Sequence, residues 1–357
     1  MKNDLKQILK QFGVENAEAV PYGNGHINET YLVSDKPRKI MQRINTTVFP
    51  QPEKVMENIC AVTEFLGAKI LADGGDPARE TLTVLPTVDG KSFYTSPDGK
   101  IYRMYIFIED AVSLDRAEDS ETFAMSARAF GKFQKQLADF PAQKLHEVIP
   151  NFHNTADRLR QFREALAKDT AGRAASVQKE IDFVLAHADC VSRVVDGIAD
   201  GSIPLRVTHN DTKLNNVMLD VVNHEPVCVI DLDTVMPGSL LYDVGDALRF
   251  GASTGSEDEV DLSKIEFDLN YFEAFIKEFL EAVGDSITAR ERELLPFSAL
   301  LMTLECGIRF LADYLNGDVY FRIHREHHNL DRCRTQFKLV ADMEKKMEQM
   351  AAIVAKY

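Results

Sequence analysis

Thr208-His209-Asn210-Asp211-Thr212-Lys213-Leu214-Asn215-Asn216, followed after a short connection by Ile230-Asp231-Leu232-Asp233, concentrates more chemistry than any other part of the chain. The first stretch sets one carboxylate, Asp211, among polar neighbours and an amide, Asn216, five positions later. The second ends an apolar run on Asp231, with Asp233 as a further carboxylate. Two β-branched runs, 205–208 and 227–230, bracket the first stretch, and their alternation predicts a small ribbon that holds a loop. Any one of these residues alone is more often a turn former or a strand-end cap. Together they supply what phosphoryl transfer demands: a group that orients and deprotonates a hydroxyl, and hard oxygen ligands for a divalent ion.

Outward from this centre the chain changes character near residue 110. Before it, turns alternate with short β-like runs. Segments 29–33 and 38–44 flank the turn cluster Ser34-Asp35-Lys36-Pro37 and predict a hairpin. Val55, Met56, Ile59, Val62 and Phe65 recur at helical spacing behind Pro52, which suits a helix start. Segments 81–85 and 101–108 add strands, and Asp98-Gly99 forms the turn between a further run ending near Phe93 and Ile101, so five strands and one helix are expected here. After residue 110 come long amphipathic segments at 119–139, 153–168, 174–197, 267–283, 288–315 and 330–355, and Thr288 with Glu291 has capping-box spacing. The expected class is α+β: a small antiparallel-sheet lobe over 1–110 and a larger helical lobe over 111–357.

Composition narrows the partners. A chain of 357 residues with 45% hydrophobic content is long enough for two lobes, and a formal charge of −15 disfavours nucleic acid or an anionic membrane as the main partner. The five cysteines are widely spaced without a C-x-x-C pair, which suits reduced thiols. The N-terminus has helical spacing at Leu5, Ile8 and Leu9 and no signal-peptide pattern. The most apolar stretch, 296–312, is interrupted by Glu305 and Arg309, so membrane insertion is not expected and a cytoplasmic location is. Oligomeric state leaves no mark in the sequence, and a monomer is compatible with it.

The pattern His-x-Asp-x-x-x-x-Asn followed by an Ile-Asp segment resembles the aminoglycoside phosphotransferase and choline kinase superfamily, with His209, Asp211, Asn216 and Asp231 matching residue by residue. Protein kinases carry an Arg where this loop has Asn210, so the resemblance is to the small-molecule branch. It implies a bilobal protein-kinase-like fold with its site in the cleft between the lobes. It also implies ATP as co-substrate, Asp211 as catalytic base, His209 as loop support, and Mg²⁺ on Asn216 and Asp231. A finer resemblance, to bacterial N-acetylhexosamine 1-kinases, runs through stretches 21–28, 45–50, 201–216, 230–239, 248–254 and 305–315. This implies phosphorylation of the C1 hydroxyl of N-acetylglucosamine or N-acetylgalactosamine. The matching sugar positions are His26, Asp211, Arg309 and Tyr320, with Thr234 and Phe250 as further members.

Other residues carry two readings side by side. The glycines of Gly23-Asn24-Gly25-His26 suit close backbone approach to nucleotide phosphates, Gly25 included, and suit an ordinary turn equally well. The strand Lys39-Ile-Met-Gln42-Arg43-Ile leaves its register open, so either Arg43 is the phosphate-holding cation or Gln42 occupies that place. Phe107, Ile108 and Glu109 are expected to offer backbone groups to adenine, or simply to link two lobes. Arg309 lies one turn after Glu305, so a structural pair competes with a substrate contact. His324, His327 and His328 have metal-compatible spacing but suit a solvated face better, while Asp243 and Asp246 suit bracing. The competing functions are a same-fold kinase of homoserine, choline or an aminoglycoside, and an inactive nucleotide-binding module.

Overall fold

Alternating apolar residues in the first third of the chain produce strands, and the hairpin around 34–37 forms as expected. The computed structural model describes residues 2–23 and 27–357. Its strands are β1 (Ala19–Pro21), β2 (Glu29–Val33), β3 (Lys39–Ile44), β4 (Val84–Leu85), β5 (Tyr94–Thr95) and β6 (Ile101–Ile106). They make one antiparallel sheet in the order β1-β2-β3-β6-β4, with β5 also paired to β6. The sheet thus has six strands where five were expected, with β5 and β6 joined across the Asp98-Gly99 turn as foreseen; Ala19–Pro21 is too short for alternation to reveal.

The chain divides into two compact units. One comprises residues 1–114, 136–149 and 216–237, the other residues 115–135, 150–215 and 238–357. In the sheet unit the N-terminal segment forms the helix Lys2–Gln11, whose Ile8 and Leu9 join Val33, Met41 and Met104 in a buried cluster. The helix behind Pro52 runs Pro52–Ala72 and buries Val55, Met56, Ile59 and Val62. Strand Pro226–Val229 pairs with Val217–Asp220, and this pairing replaces the ribbon expected between 205–208 and 227–230. The partner follows the Asn216 turn directly, so the short connection 221–225 closes a local hairpin.

The helical unit is built round Ala289–Asn316. Its first turn carries the expected capping box between Thr288 and Glu291. Glu291 is fully buried and also takes both ends of the Arg206 guanidinium, at 2.6 and 2.8 Å. By length and apolarity this helix could cross a membrane, but 83% of its most apolar window is buried among the other helices, which marks it as the core helix. Leu240–Gly251, Thr155–Lys168 and His328–Lys356 pack on it. Gly245 makes one approach possible, because a Cβ there would lie 2.3 Å from the Ser298 carbonyl oxygen.

The expected helix 174–197 is broken into Gln178–Ala186 and Arg193–Asp200. His187 Nδ1 donates to the Phe183 carbonyl at 2.7 Å and closes the first helix at its last turn. Leu240–Gly251 was not foreseen as a helix. Its buried face carries Asp243 and Asp246, so an apolar-periodicity rule does not register it. All five cysteines are free thiols.

Candidate active site

In the helical unit the residues leading to Asp211 are held by one carboxylate. Ser239 caps Leu240–Gly251, and Asp243 stands in its first turn, where the helix dipole favours a negative charge. Asp243 is 1% exposed. Its Oδ2 accepts from the His209 backbone N–H at 3.0 Å and from Gln134 Nε2 at 2.8 Å, while Oδ1 accepts from the Asn210 N–H at 2.8 Å. Thr212 Oγ1 donates to the Asp243 carbonyl at 2.6 Å. Burial pushes the Asp243 carboxyl above its ordinary range, against the pull of His209 and the backbone N–H groups. Asp243 therefore braces the loop, as the sequence suggested.

His209 is fully buried, edge-on to Phe130 and Phe133 at ring separations of 5.4 and 6.1 Å. The Asp211 N–H donates to His209 Nδ1 at 3.2 Å, which assigns the ring proton to Nε2. Asn210 takes the left-handed conformation (φ 65°), the turn that brings the chain round to Asp211. The Asp211 side chain is 27% exposed and meets Lys213 Nζ at 2.6 Å. Burial opposes the Lys213 charge, but Asp211 outweighs it and raises the ammonium pKa.

In the sheet unit the Ile230 N–H donates to the Asn216 carbonyl at 2.9 Å, which brings Asp231 beside Asn216. Asp231 is exposed and left-handed (φ 58°, ψ 61°), whereas Asp233, two residues on, is 4% exposed. Asp233 pairs with the Arg103 guanidinium and accepts from Asn28 Nδ2 at 2.6 Å. Burial works against the Arg103 charge, but Asp233, with Tyr105 and Asp231 behind it, holds the pKa above the usual arginine value. Among the described residues no group of three His, Cys, Asp or Glu is arranged to hold a metal. An exposed Asp231 beside Asn216 nonetheless suits Mg²⁺, which keeps waters and substrate phosphates as most of its ligands.

The open register of β3 is now fixed. Gln42 Oε1 accepts from Arg103 Nε and Nη2 at 3.0 and 2.8 Å, and Gln42 Nε2 donates to Thr30 at 3.1 Å. Arg43 points to the opposite face, ion-paired with Glu29 along a groove of about 790 Å³. Gln42 therefore bridges to a cation supplied by β6. Arg103 was not singled out from sequence, although a lone Arg in the apolar run 101–106 was the available signal.

Phe107 stacks against Arg38, whose guanidinium lies 4.2 Å from the ring centroid and pairs with Glu109. Ile108 is buried, and among the described residues its backbone makes no hydrogen bond. Gly25 and His26 lie outside the described residues.

Of the sugar-position candidates, Arg309 and Tyr320 come together. The Arg309 guanidinium lies 6.0 Å from the Tyr320 ring centroid, 5.7 Å from Phe152 and 5.4 Å from Phe321. Glu305 is not its hydrogen-bond partner. That carboxylate takes His153 Nδ1 at 2.9 Å and Thr155 Oγ1 at 2.6 Å, and His153 Nε2 in turn meets the Asn210 carbonyl at 3.4 Å. Asp313 fixes the Tyr320 segment by accepting the N–H groups of residues 319, 320 and 321 at 2.8–3.0 Å. Phe250, 46% exposed, lines a separate cleft with Lys213, and Thr234 belongs to the sheet unit.

Of the three histidines expected on a solvated face, His324 and His327 are exposed, whereas His328 is 2% exposed and bonds Asp258 at 3.0 Å, which corrects the expectation for that residue alone.

Solved structures share this arrangement of antiparallel sheet and helices, which is the protein-kinase-like fold. A microcompartment-associated aminopropanol kinase is 15% identical over 98% of either chain, with a TM-score of 0.59. A spectinomycin phosphotransferase in complex with ADP and spectinomycin is 16% identical over 98% of this chain and 99% of its own, at 0.58. An amicoumacin kinase in complex with AMP-PNP and Ca²⁺ is 11% identical over 92% and 88%, at 0.53. Residues 18–281 match the model of the phosphotransferase enzyme family, from β1 through the Asp211 loop and Asp231 to the helix Leu269–Val283, and the chain belongs to that family.

Proposed function

We propose that the protein transfers the γ-phosphoryl group of ATP to the C1 hydroxyl of a free N-acetylhexosamine, giving the sugar 1-phosphate and ADP. The observation that carries the kinase chemistry is the loop in which buried Asp243 holds the backbone of His209 and Asn210 while Asp211 keeps a side chain open to solvent. Asp211 orients the acceptor hydroxyl and accepts its proton, with the Lys213 ammonium lying against that carboxylate. Asn216 and Asp231 would hold Mg²⁺, which when bound neutralises phosphate charge. The backbone at 107–109 suits the adenine edge, and on the β3 side Gln42 is held by Arg103, whose charge is matched by Asp233. General-base assistance is worth about 10²–10⁴ in rate, and positioning supplies much of the rest.

The hexosamine assignment rests on sequence resemblance, supported by the meeting of Arg309 with Tyr320. Guanidinium and phenol groups suit the hydroxyls and acetamido oxygen of a neutral sugar. A panel of N-acetylglucosamine, N-acetylgalactosamine, choline, homoserine and an aminoglycoside with Mg·ATP tests it, with ³¹P NMR locating the new phosphate. A 1-phosphate of an N-acetylhexosamine is the expected product. A 6-phosphate would overturn the C1 assignment, turnover of choline or homoserine alone would overturn the sugar, and no turnover on any acceptor would leave a nucleotide-binding module.

A further inference from the structure

The helical unit contains a cleft of about 880 Å³ whose walls include Lys213 and Leu214 of the catalytic loop, Arg249, Phe250 and, from the helix His328–Lys356, Gln336. Lys213 connects this space to the reaction, because its ammonium touches Asp211 at 2.6 Å. The deeper cation is already matched: Arg249 meets Asp246 and Glu257, each at 3.0 Å. Asp115, Arg116 and Glu118 on the exposed rim carry both signs.

Gln336 stands apart from these. It is 2% exposed, and its Oε1 has no hydrogen-bond partner among the described residues. A buried amide left unsatisfied is costly, and native proteins keep one where a water or a ligand completes it. The packing places it there deliberately deep. A Cβ at Gly307 would come within 2.5 Å of the Phe337 ring and 3.2 Å of Gln336 Cβ, so the glycine lets the two helices close and seats Gln336 in the cleft wall.

We propose that this cleft is an acceptor subsite in which Gln336 sets specificity, its side-chain amide exchanging hydrogen bonds with an uncharged hydroxyl or acetamido group of the acceptor. The proposal rests on phosphotransfer from ATP to a small acceptor at Asp211, as argued above. An amide is donor and acceptor at once and carries no charge, which matches a sugar hydroxyl or acetamide. Phe250 at the side of the cleft presents an apolar face on which a sugar ring can rest.

Gln336→Leu removes both polar atoms at similar size. The Michaelis constant for N-acetylglucosamine should rise about tenfold, with kcat and the Michaelis constant for ATP within about twofold of the parent. Gln336→Glu keeps acceptor oxygens but adds charge, and should raise the same constant by a few-fold. Ser256→Phe, on the exposed rim, should obstruct the cleft and raise it without disturbing the core; it decides the matter if the Leu variant does not fold. An unchanged Michaelis constant in Gln336→Leu, with a higher melting temperature, would show that the amide is merely hydrated and overturn the subsite. If the wild-type enzyme phosphorylates choline but no hexosamine, the sugar assignment falls, and the same variants measured with choline then judge the cleft by the same criterion. A wild-type enzyme that phosphorylates none of the panel overturns both.

Discussion

Asp243 in the helical unit and Asp233 in the sheet unit are both almost fully buried beside residues proposed for the chemistry, yet they are compensated in opposite ways. Asp243 faces neutral donors: two backbone N–H groups and the Gln134 amide. Asp233 faces a full positive charge, Arg103, itself 1% exposed and buttressed by Gln42. The first arrangement fixes a backbone and leaves the carboxylate electrostatically strained, with its pKa raised by burial. The second fixes side chains of three different strands or loops, and the carboxylate and guanidinium depend on each other. Short directional bonds hold a loop in place; an ion pair ties separated segments together.

Substitutions can break this contrast, beginning with the largest effect. Asp243→Ala should release the loop without removing Asp211. A kcat loss of about 10²-fold or more, with the Michaelis constant for ATP little changed, is expected in steady-state kinetics, alongside Asp211→Asn, which should lose about 10²–10⁴ with an unaltered melting curve. Should Asp243→Ala retain full turnover, the bracing role would be refuted.

Next comes the ion pair. Arg103→Met leaves Asp233 buried without its cation and should cost about 3–5 kcal/mol in denaturant unfolding. The double variant Arg103→Met, Asp233→Leu should recover most of that loss. A double variant as unstable as the single one would mean that the pair is not the unit of stability.

A third test uses pH. Because the folded Asp243 carboxyl has a pKa above its unfolded value, the unfolded chain releases its proton first as pH rises. Stability attributable to this group is therefore present below the unfolded pKa, near 3.8, and is lost as pH rises through the folded value. Asp243→Asn should flatten that decline in a series of denaturation curves from pH 4 upward. The smallest effect is expected at Arg79, whose pairing with Asp220 is partly exposed at 30% and 22%. Its replacement by Ala should cost no more than about 1 kcal/mol.

How much of this was legible in the chain follows from the same contrast. The loop declared itself because Asp211, Asn216 and Asp231 lie at fixed sequence spacings, and the hairpin and capping box because Ser34-Asp35-Lys36-Pro37 and Thr288 with Glu291 are local signals. Local patterns survive translation into one dimension. Arg103, by contrast, acquires its meaning from Asp233, 130 positions away, and from a β3 register that places Gln42 opposite it. Leu240–Gly251 escaped notice because the carboxylates that make it useful interrupt its apolar period. His153 and Glu305 belong to the same class, two polar residues that make sense only once the fold joins them.

Glu291 has a consequence of another kind. The same carboxylate closes the first turn of Ala289–Asn316 and receives Arg206, at the start of the strand Arg206–Thr208 that runs into the Asp211 loop. Arg206 finds its bidentate partner only where that first turn is wound, since the turn fixes the direction of both oxygens. Winding a helix and anchoring a strand 85 residues earlier thus become one cooperative event. Fraying at that helix start would therefore be felt as disorder in the strand that delivers Asp211, which makes the first turn of a structural helix part of the enzyme's tolerance to heat.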